Sequence, residues 1–305
     1  MYFPILRGRQ FELLALRECL EDKVLSKRII PVIEPVRVSS TYIKTIDTFI
    51  KAHHRICVIQ NPEVGTWNQE YKKDTSEEVK KKILSQKESE FFVKGWDINS
   101  KTIVVNNREE IPHMLFLCKN VDDLIYYDKN ISENNPAYMI VPDKNEFRRR
   151  VLKNRIVCED HFNKKARNVD YQKVLDEFFS ADHLYYRDDN NIGFSDYSII
   201  GKDYSETGFA PYAVALHIVY FDSEENLRIA HFVSDSNEDI SDPAKKFKEA
   251  VEKMVHWNQE RGIQTKGINL LERAYREGKY PGLGVIKKYT IMHHMELISQ
   301  YLEKE

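Results

Sequence analysis

The sequence predicts an α/β protein built as a (β/α)8 barrel of the TIM-barrel kind, with an irregular second half that carries a β-hairpin and ends in helices. Three observations predict it. Short β-branched runs alternate with amphipathic helical stretches, which argues for parallel βα units. About eight strand candidates precede residue 222 at spacings of roughly 20 to 30 residues, which favours a closed barrel over an open doubly wound sheet. No Gly-rich fingerprint follows the early strands, as a dinucleotide fold would require. The 305 residues are 42% hydrophobic and 11% aromatic. They suffice for a single barrel-like domain over 1–305, with 242–305 as a helical C-terminal segment.

Element by element, Phe11, Leu13, Leu14, Leu16, Leu20 and Val24 recur at helical spacing and predict a helix over 9–25. The β-branched run from Arg28 to Val36 suits a strand buried on both faces. A helix over 41–53 follows, then a strand over 55–60 closed by the turn-prone Asn61-Pro62-Glu63-Val64-Gly65. A charged helix is predicted over 76–92, a strand over 102–106, a helix near 108–119, and strands over 123–127, 137–141 and 155–158. Past His161 a helix spans about 169–180, and 194–200 again reads as strand. Tyr212 to Phe221 and Leu227 to Val233 flank Asp222-Ser223-Glu224-Glu225-Asn226 as an antiparallel hairpin.

Composition narrows the function classes. With 46 Lys+Arg against 48 Asp+Glu the net charge is −2, so the broad basic field of a non-specific nucleic-acid binder is missing. Only the local runs Lys80-Lys81-Lys82 and Arg148-Arg149-Arg150 keep nucleic-acid binding open as a reading. The N-terminus lacks the pattern of a signal peptide and no run reaches the roughly 18 apolar residues of a membrane span, so a cytoplasmic protein without a membrane partner is expected. Cys19, Cys57, Cys118 and Cys158 stand far apart, without zinc-site spacing, and read as reduced core residues.

In a barrel, the residues at the C-terminal ends of the strands face the site. That places Glu34 and Arg37 after the first strand, Asn61 after the second, Asn106 and Asn107 after the third, Asp128 after the fourth, Glu159, Asp160 and His161 after a later one, and Asp188 and Asp196 around the next. Glu34, Arg37, Asn61 and Asp188 are therefore candidate ligand-binding residues. Glu159, Asp160 and Asp196 are candidate ligands for Mg²⁺ or Mn²⁺, because oxygen donors hold hard cations that orient a phosphate ester for hydrolysis. Glu159, Asp160, His161 and Asp196 are the candidate catalytic set, with His161 as acid or base and Lys164, Lys165 and Arg167 as phosphate partners. Helix caps and ordinary ion pairs are the competing account of the same residues. His217 and His231 lie on the two arms of the hairpin and form a proton relay or donate metal nitrogens if they face one side. The tail's Pro281-Gly282-Leu283-Gly284 is no P-loop, and His293-His294 lack the spacing of a zincin pair.

Tyr2-Phe3-Pro4-Ile5-Leu6-Arg7-Gly8-Arg9-Gln10, with Glu12, Ala15-Leu16-Arg17-Glu18 and Ile30-Pro31-Val32-Ile33-Glu34-Pro35, resembles the phage-type beta protein family. Gly193-Phe194-Ser195-Asp196-Tyr197-Ser198 and His217-Ile218-Val219-Tyr220-Phe221-Asp222 are similar to a bacterial branch of that group. The resemblance covers most of the chain and implies a barrel. Members of the branch typically stand beside a small nuclease-like protein in phage or mobile-element settings, so it also implies a recognition subunit in a phage-defence or mobile-element conflict module. It assigns no catalytic residue. The other reading, from the acidic strand ends, is a metal-dependent phosphodiesterase or other hydrolase.

Overall fold

The computed structural model describes residues 1–99, 108–205 and 212–304. The first elements are β1 (Ile5–Leu6), α1 (Gln10–Glu21), β2 (Val32–Ile33), α2 (Ser40–Lys51), β3 (Ile56–Ile59), α3 (Trp67–Lys73), α4 (Glu77–Lys87) and β4 (Phe92–Asp97). They are followed by β5 (Leu115–Leu117), α5 (Val121–Asn130), β6 (Tyr138–Val141), α6 (Asn145–Arg150), β7 (Arg155–Glu159), β8 (Asp176–Ser180), α7 (Asp182–Tyr185) and β9 (Gly193–Asp196). Last come β10 (Ala215–Phe221), β11 (Leu227–Val233), α8 (Pro243–Arg261), α9 (Lys266–Arg276) and α10 (Leu283–Lys304).

Eight strands form one sheet in the order β1-β2-β3-β4-β5-β6-β7-β9, and every pairing is parallel. A bridge between Tyr2 and Phe194 joins the two ends, with Phe3 N–H donating to the Phe194 carbonyl at 2.9 Å and Phe194 N–H to the Met1 carbonyl at 3.0 Å. The predicted TIM-barrel-like class is therefore what the chain forms. Its lumen is filled by Phe3, Ile5, Val32, Ile59, Leu117, Ile140 and their neighbours. Gly95 is the local fit of that filling: a Cβ there would lie 2.7 Å from Cys57 Sγ and 2.9 Å from Ile59 Cδ1.

Close contacts divide the chain into two compact units. The barrel unit holds residues 1–13, 27–160 and 182–197; the second holds 14–26, 161–181 and 198–305. In the second unit β10, β11 and β8 form an antiparallel sheet in that order. Val214, Leu216 and Ile218 meet Phe247, Val251, Met254 and Leu271 in its core, so the amphipathic face of α8 is buried as its spacing requires.

Several elements differ from expectation. Phe92–Asp97, not read as a strand from sequence, is β4, and the predicted 102–106 strand lies outside the described residues. Residues 123–127 are helical because Asn120 and Asp123 form a reciprocal capping box, which starts α5 and turns Leu124 and Tyr127 inward. Residues 108–119 hold a 3-10 turn over Arg108–His113 and then β5. Residues 169–180 are a 3-10 turn over Asn168–Lys173 and then β8. The strand predicted over 194–200 stops at Asp196, since Ser198 takes φ 50° and opens a 3-10 turn. The hairpin lies where predicted, and the C-terminal segment expected to be helical consists of α8, α9 and α10.

Candidate functional site

Successive strand residues point to opposite faces, so stepping two residues past the last lumen side chain reaches the C-terminal mouth of the barrel. From Ile5, Val32, Ile59, Gly95 and Leu117 that step gives Arg7, Glu34, Asn61, Asp97 and Lys119; from Cys158 and Ser195 it gives Asp160 and Tyr197. These residues converge. Arg7 forms an ion pair with Glu34, the two side chains being 12% and 7% exposed. Glu34 also accepts the Glu63 N–H at 3.0 Å, and the Tyr197 ring lies 5.5 Å from the Arg7 guanidinium. Lys119 forms a second ion pair with Asp97. Asn61 clamps the Asp97 backbone, donating to its carbonyl at 2.8 Å and accepting its N–H at 3.0 Å.

Burial pushes the Asp97 carboxyl up to about 6, with Lys119 opposing the shift and the Glu63 and Glu34 charges adding to it. Burial also raises the Tyr197 phenol, with Arg7 opposing, so the ring stays protonated. Because the folded Asp97 holds its proton more tightly than an ordinary carboxyl at 3.8, it favours the folded state below about pH 4. That contribution is lost as pH rises through about 6, and is worth about 3 kcal/mol. Asp97→Asn is expected to flatten the stability of the barrel unit between pH 4 and 6. Urea denaturation across that range checks it, and an unchanged pH profile would refute the assignment.

Of the residues chosen from sequence, Glu34, Asn61 and Asp160 belong to this mouth. Glu159 and Asp196 are direct register partners on neighbouring strands, yet they sit on the opposite face from the lumen series. Asp196 is buried there and accepts the Tyr2 hydroxyl at 2.7 Å, on the face where Tyr2 stacks with Phe194. Glu159 accepts the Asp143 N–H at 2.9 Å. Period-two alternation thus splits the candidate catalytic and metal set, with Asp160 facing one way and Glu159 and Asp196 the other. Among the described residues no group of three His, Cys, Asp or Glu side chains could hold a metal ion. The donor set does not fit the Mg²⁺ or Mn²⁺ site expected of it.

Arg37 is largely exposed and lies 3.9 Å from Glu70. Asp188 follows α7 and precedes β9, so it lies toward the N-terminal end of that strand, away from the mouth. Asp128 is on α5, paired with Arg150. Asn106 and Asn107 lie outside the described residues. His161 belongs to the second unit, where its ring is 5.6 Å from Phe179, and Arg167 pairs with Asp170 at 3.1 Å. Several members of the basic runs pair with nearby acids: Lys80 with Glu77, Lys82 with Asp47, Arg148 with Asp143 and Asp189. The four cysteines are free thiols, and burial pushes Cys158 up to about 12. No described helix is long and apolar enough to cross a membrane.

The hairpin histidines do face one side. His217 and His231 are direct cross-strand partners, with Nδ1 to Nδ1 at 2.8 Å, and His231 Nε2 is 3.1 Å from Glu177 Oε1. Glu177 accepts from Nε2–H of His231, whose Nδ1 then accepts from Nδ1–H of His217, so two neutral rings form a chain ending on a carboxylate. Tyr171 lies 4.6 Å from both rings. Burial, helped by the neighbouring imidazole, lowers His217 to about 3.

Sequence reasoning missed Arg7, Asp97, Lys119 and Tyr197. Arg7 and Tyr197 stand inside stretches already singled out, and the step of two from the strand core would have found them. Compared with protein families, curated proteins and solved structures, the chain matches none.

Proposed function

We propose that the barrel is the ligand- or partner-recognition subunit of a phage-defence or mobile-element conflict module, acting beside a small nuclease-like protein. The observation that carries the recognition part is the mouth itself: two internal ion pairs, Arg7–Glu34 and Lys119–Asp97, present polar groups already fixed in place. Such pre-ordered charges lower the cost of docking and discriminate between partners by complementarity. The module and the nuclease-like partner rest on the resemblance of the N-terminal and Gly193–Ser198 stretches. The metal-dependent phosphodiesterase reading gains nothing from the described residues, whose acids are engaged by Tyr2, by backbone N–H groups and by cations.

The test is co-expression with the neighbouring nuclease-like protein and gel filtration at micromolar concentration. A single co-eluting complex is expected. Lys119→Asp, whose parent is the more exposed partner of its pair at 43%, reverses one charge at the mouth and is expected to weaken the complex at least tenfold. Separate elution of the two wild-type proteins would remove the partner reading, and an unaffected Lys119→Asp complex would remove the mouth as its contact.

A further inference from the structure

The second unit contains a cavity of about 530 Å³ that the barrel mouth does not use. That volume lies within the range of small-molecule sites, roughly 300 to 1,000 Å³. Lys253, Trp257 and Arg261 line it from α8, and Tyr220, Phe232 and Asp176 line it from the sheet. The three helix residues follow one another at i,i+4 spacing and therefore share one face, giving a cation, an indole and a cation in a row.

The charges there are unequally balanced. Asp176 is taken up by Arg228, whose Nε donates at 2.6 Å, and by the Tyr220 hydroxyl at 2.6 Å. Lys253 gives one N–H to the Val233 carbonyl at 2.8 Å and one to Asp235 at 2.6 Å, which leaves its third donor. Arg261 is held by rings: its guanidinium carbon lies 4.4 Å from the Trp257 ring centre and 4.9 Å from that of Tyr220. A guanidinium fixed by aromatic faces keeps its charge, and the donors not given to the Tyr220 hydroxyl remain for an anion. Trp257 is itself braced edge-on by Tyr220 at 5.1 Å and Phe232 at 5.3 Å, so the aromatic wall is rigid.

We propose that this cavity binds a phosphate monoester carried on a planar ring, of the size of a nucleoside monophosphate. The phosphate lies on Arg261 at one end of the row, and the ring packs against the wall built by Trp257 and Phe232, with Lys253 at the far end. Aromatic side chains and arginine accept any base through its π-face, so the site selects phosphate plus ring more strongly than one base over another.

The test is isothermal titration calorimetry of the full chain with AMP, GMP, CMP and UMP, beside adenosine, inorganic phosphate and phenyl phosphate. At least one nucleotide is expected to bind saturably at one site, with adenosine and inorganic phosphate each at least tenfold weaker. Phenyl phosphate matching the nucleotides would assign the site to aryl phosphates in general and still support the shared chemistry. Arg261→Gln is expected to weaken nucleotide binding at least tenfold with an unchanged melting temperature. Lys119→Asp should leave it unaltered, which separates this site from the mouth. Absence of saturable nucleotide binding below millimolar concentration, inorganic phosphate binding as tightly as the nucleotides, or full affinity in the folded Arg261→Gln variant would each overturn the proposal.

Discussion

Arg7→Met is expected to destabilise the barrel unit by about 3–5 kcal/mol, the cost of leaving one member of a buried ion pair without its partner. Arg7 and Glu34 are both mostly withdrawn from solvent, so the carboxylate left behind cannot recover its hydration without opening the mouth. Among the described residues its remaining donor is the Glu63 N–H at 3.0 Å. The double variant Arg7→Met/Glu34→Met should recover most of the loss, because two apolar side chains carry no desolvation penalty. Recovery stays incomplete, since the Glu63 N–H then lacks its acceptor. Urea denaturation followed by tryptophan fluorescence measures both, as Trp67 and Trp96 belong to the barrel unit. A single variant that loses less than about 1 kcal/mol would show that the pair is solvated and worth no more than a surface bridge.

The barrel was legible in the sequence because parallel strands buried on both faces leave continuous apolar runs such as Ile56–Ile59 and Tyr138–Val141. Phe92–Asp97 escaped because the lumen demands Gly95 and the mouth demands Asp97, two residues that argue against a strand when read locally. Val121–Asn130 looked like a strand for the opposite reason: its central Leu-Ile-Tyr-Tyr is β-prone, and the capping box that overrides it is visible only from Asn120 onward.

The same errors propagated into the site. Leaving Phe92–Asp97 unread as a strand and reading 108–119 as a helix hid Asp97 and Lys119, while Glu34 and Asn61 follow strands that were placed correctly. Glu159 and Asp196 lie off the mouth for a finer reason. Both stand at strand ends, but face is set by parity, and a choice made by position along the strand ignores it. The hairpin histidines required register as well, and His217 opposite His231 is decided by the turn Asp222–Asn226, where Asp222 N–H donates to the Asn226 carbonyl at 3.0 Å.

The second unit should unfold in mild acid, because three of its histidines are held neutral. His217 and His294 are lowered to about 3 and His293 to about 4, all by burial first, with neighbouring imidazoles adding to the shift at His217 and His294. The contacts explain the neutral form: the Val219 carbonyl takes His293 Nε2–H at 2.6 Å, and Thr265 Oγ1 lies 2.9 Å from its Nδ1, which accepts only while unprotonated. A depressed folded pKa stabilises the fold above the unfolded value of 6.5, and that contribution is lost as pH falls toward the folded value. Between about pH 6 and 4 unfolding therefore takes up close to three protons, a slope of about 4 kcal/mol per pH unit. Accumulated to about pH 4, the loss is on the order of 10 kcal/mol, comparable to the whole stability of an ordinary domain. Near-UV circular dichroism and urea denaturation at pH 7, 6, 5 and 4 should show the cooperative packing of this unit disappearing within that range. Uptake of fewer than one proton on unfolding would mean that these rings are charged in the folded protein, and the neutral chain from His217 through His231 to Glu177 would fall with them.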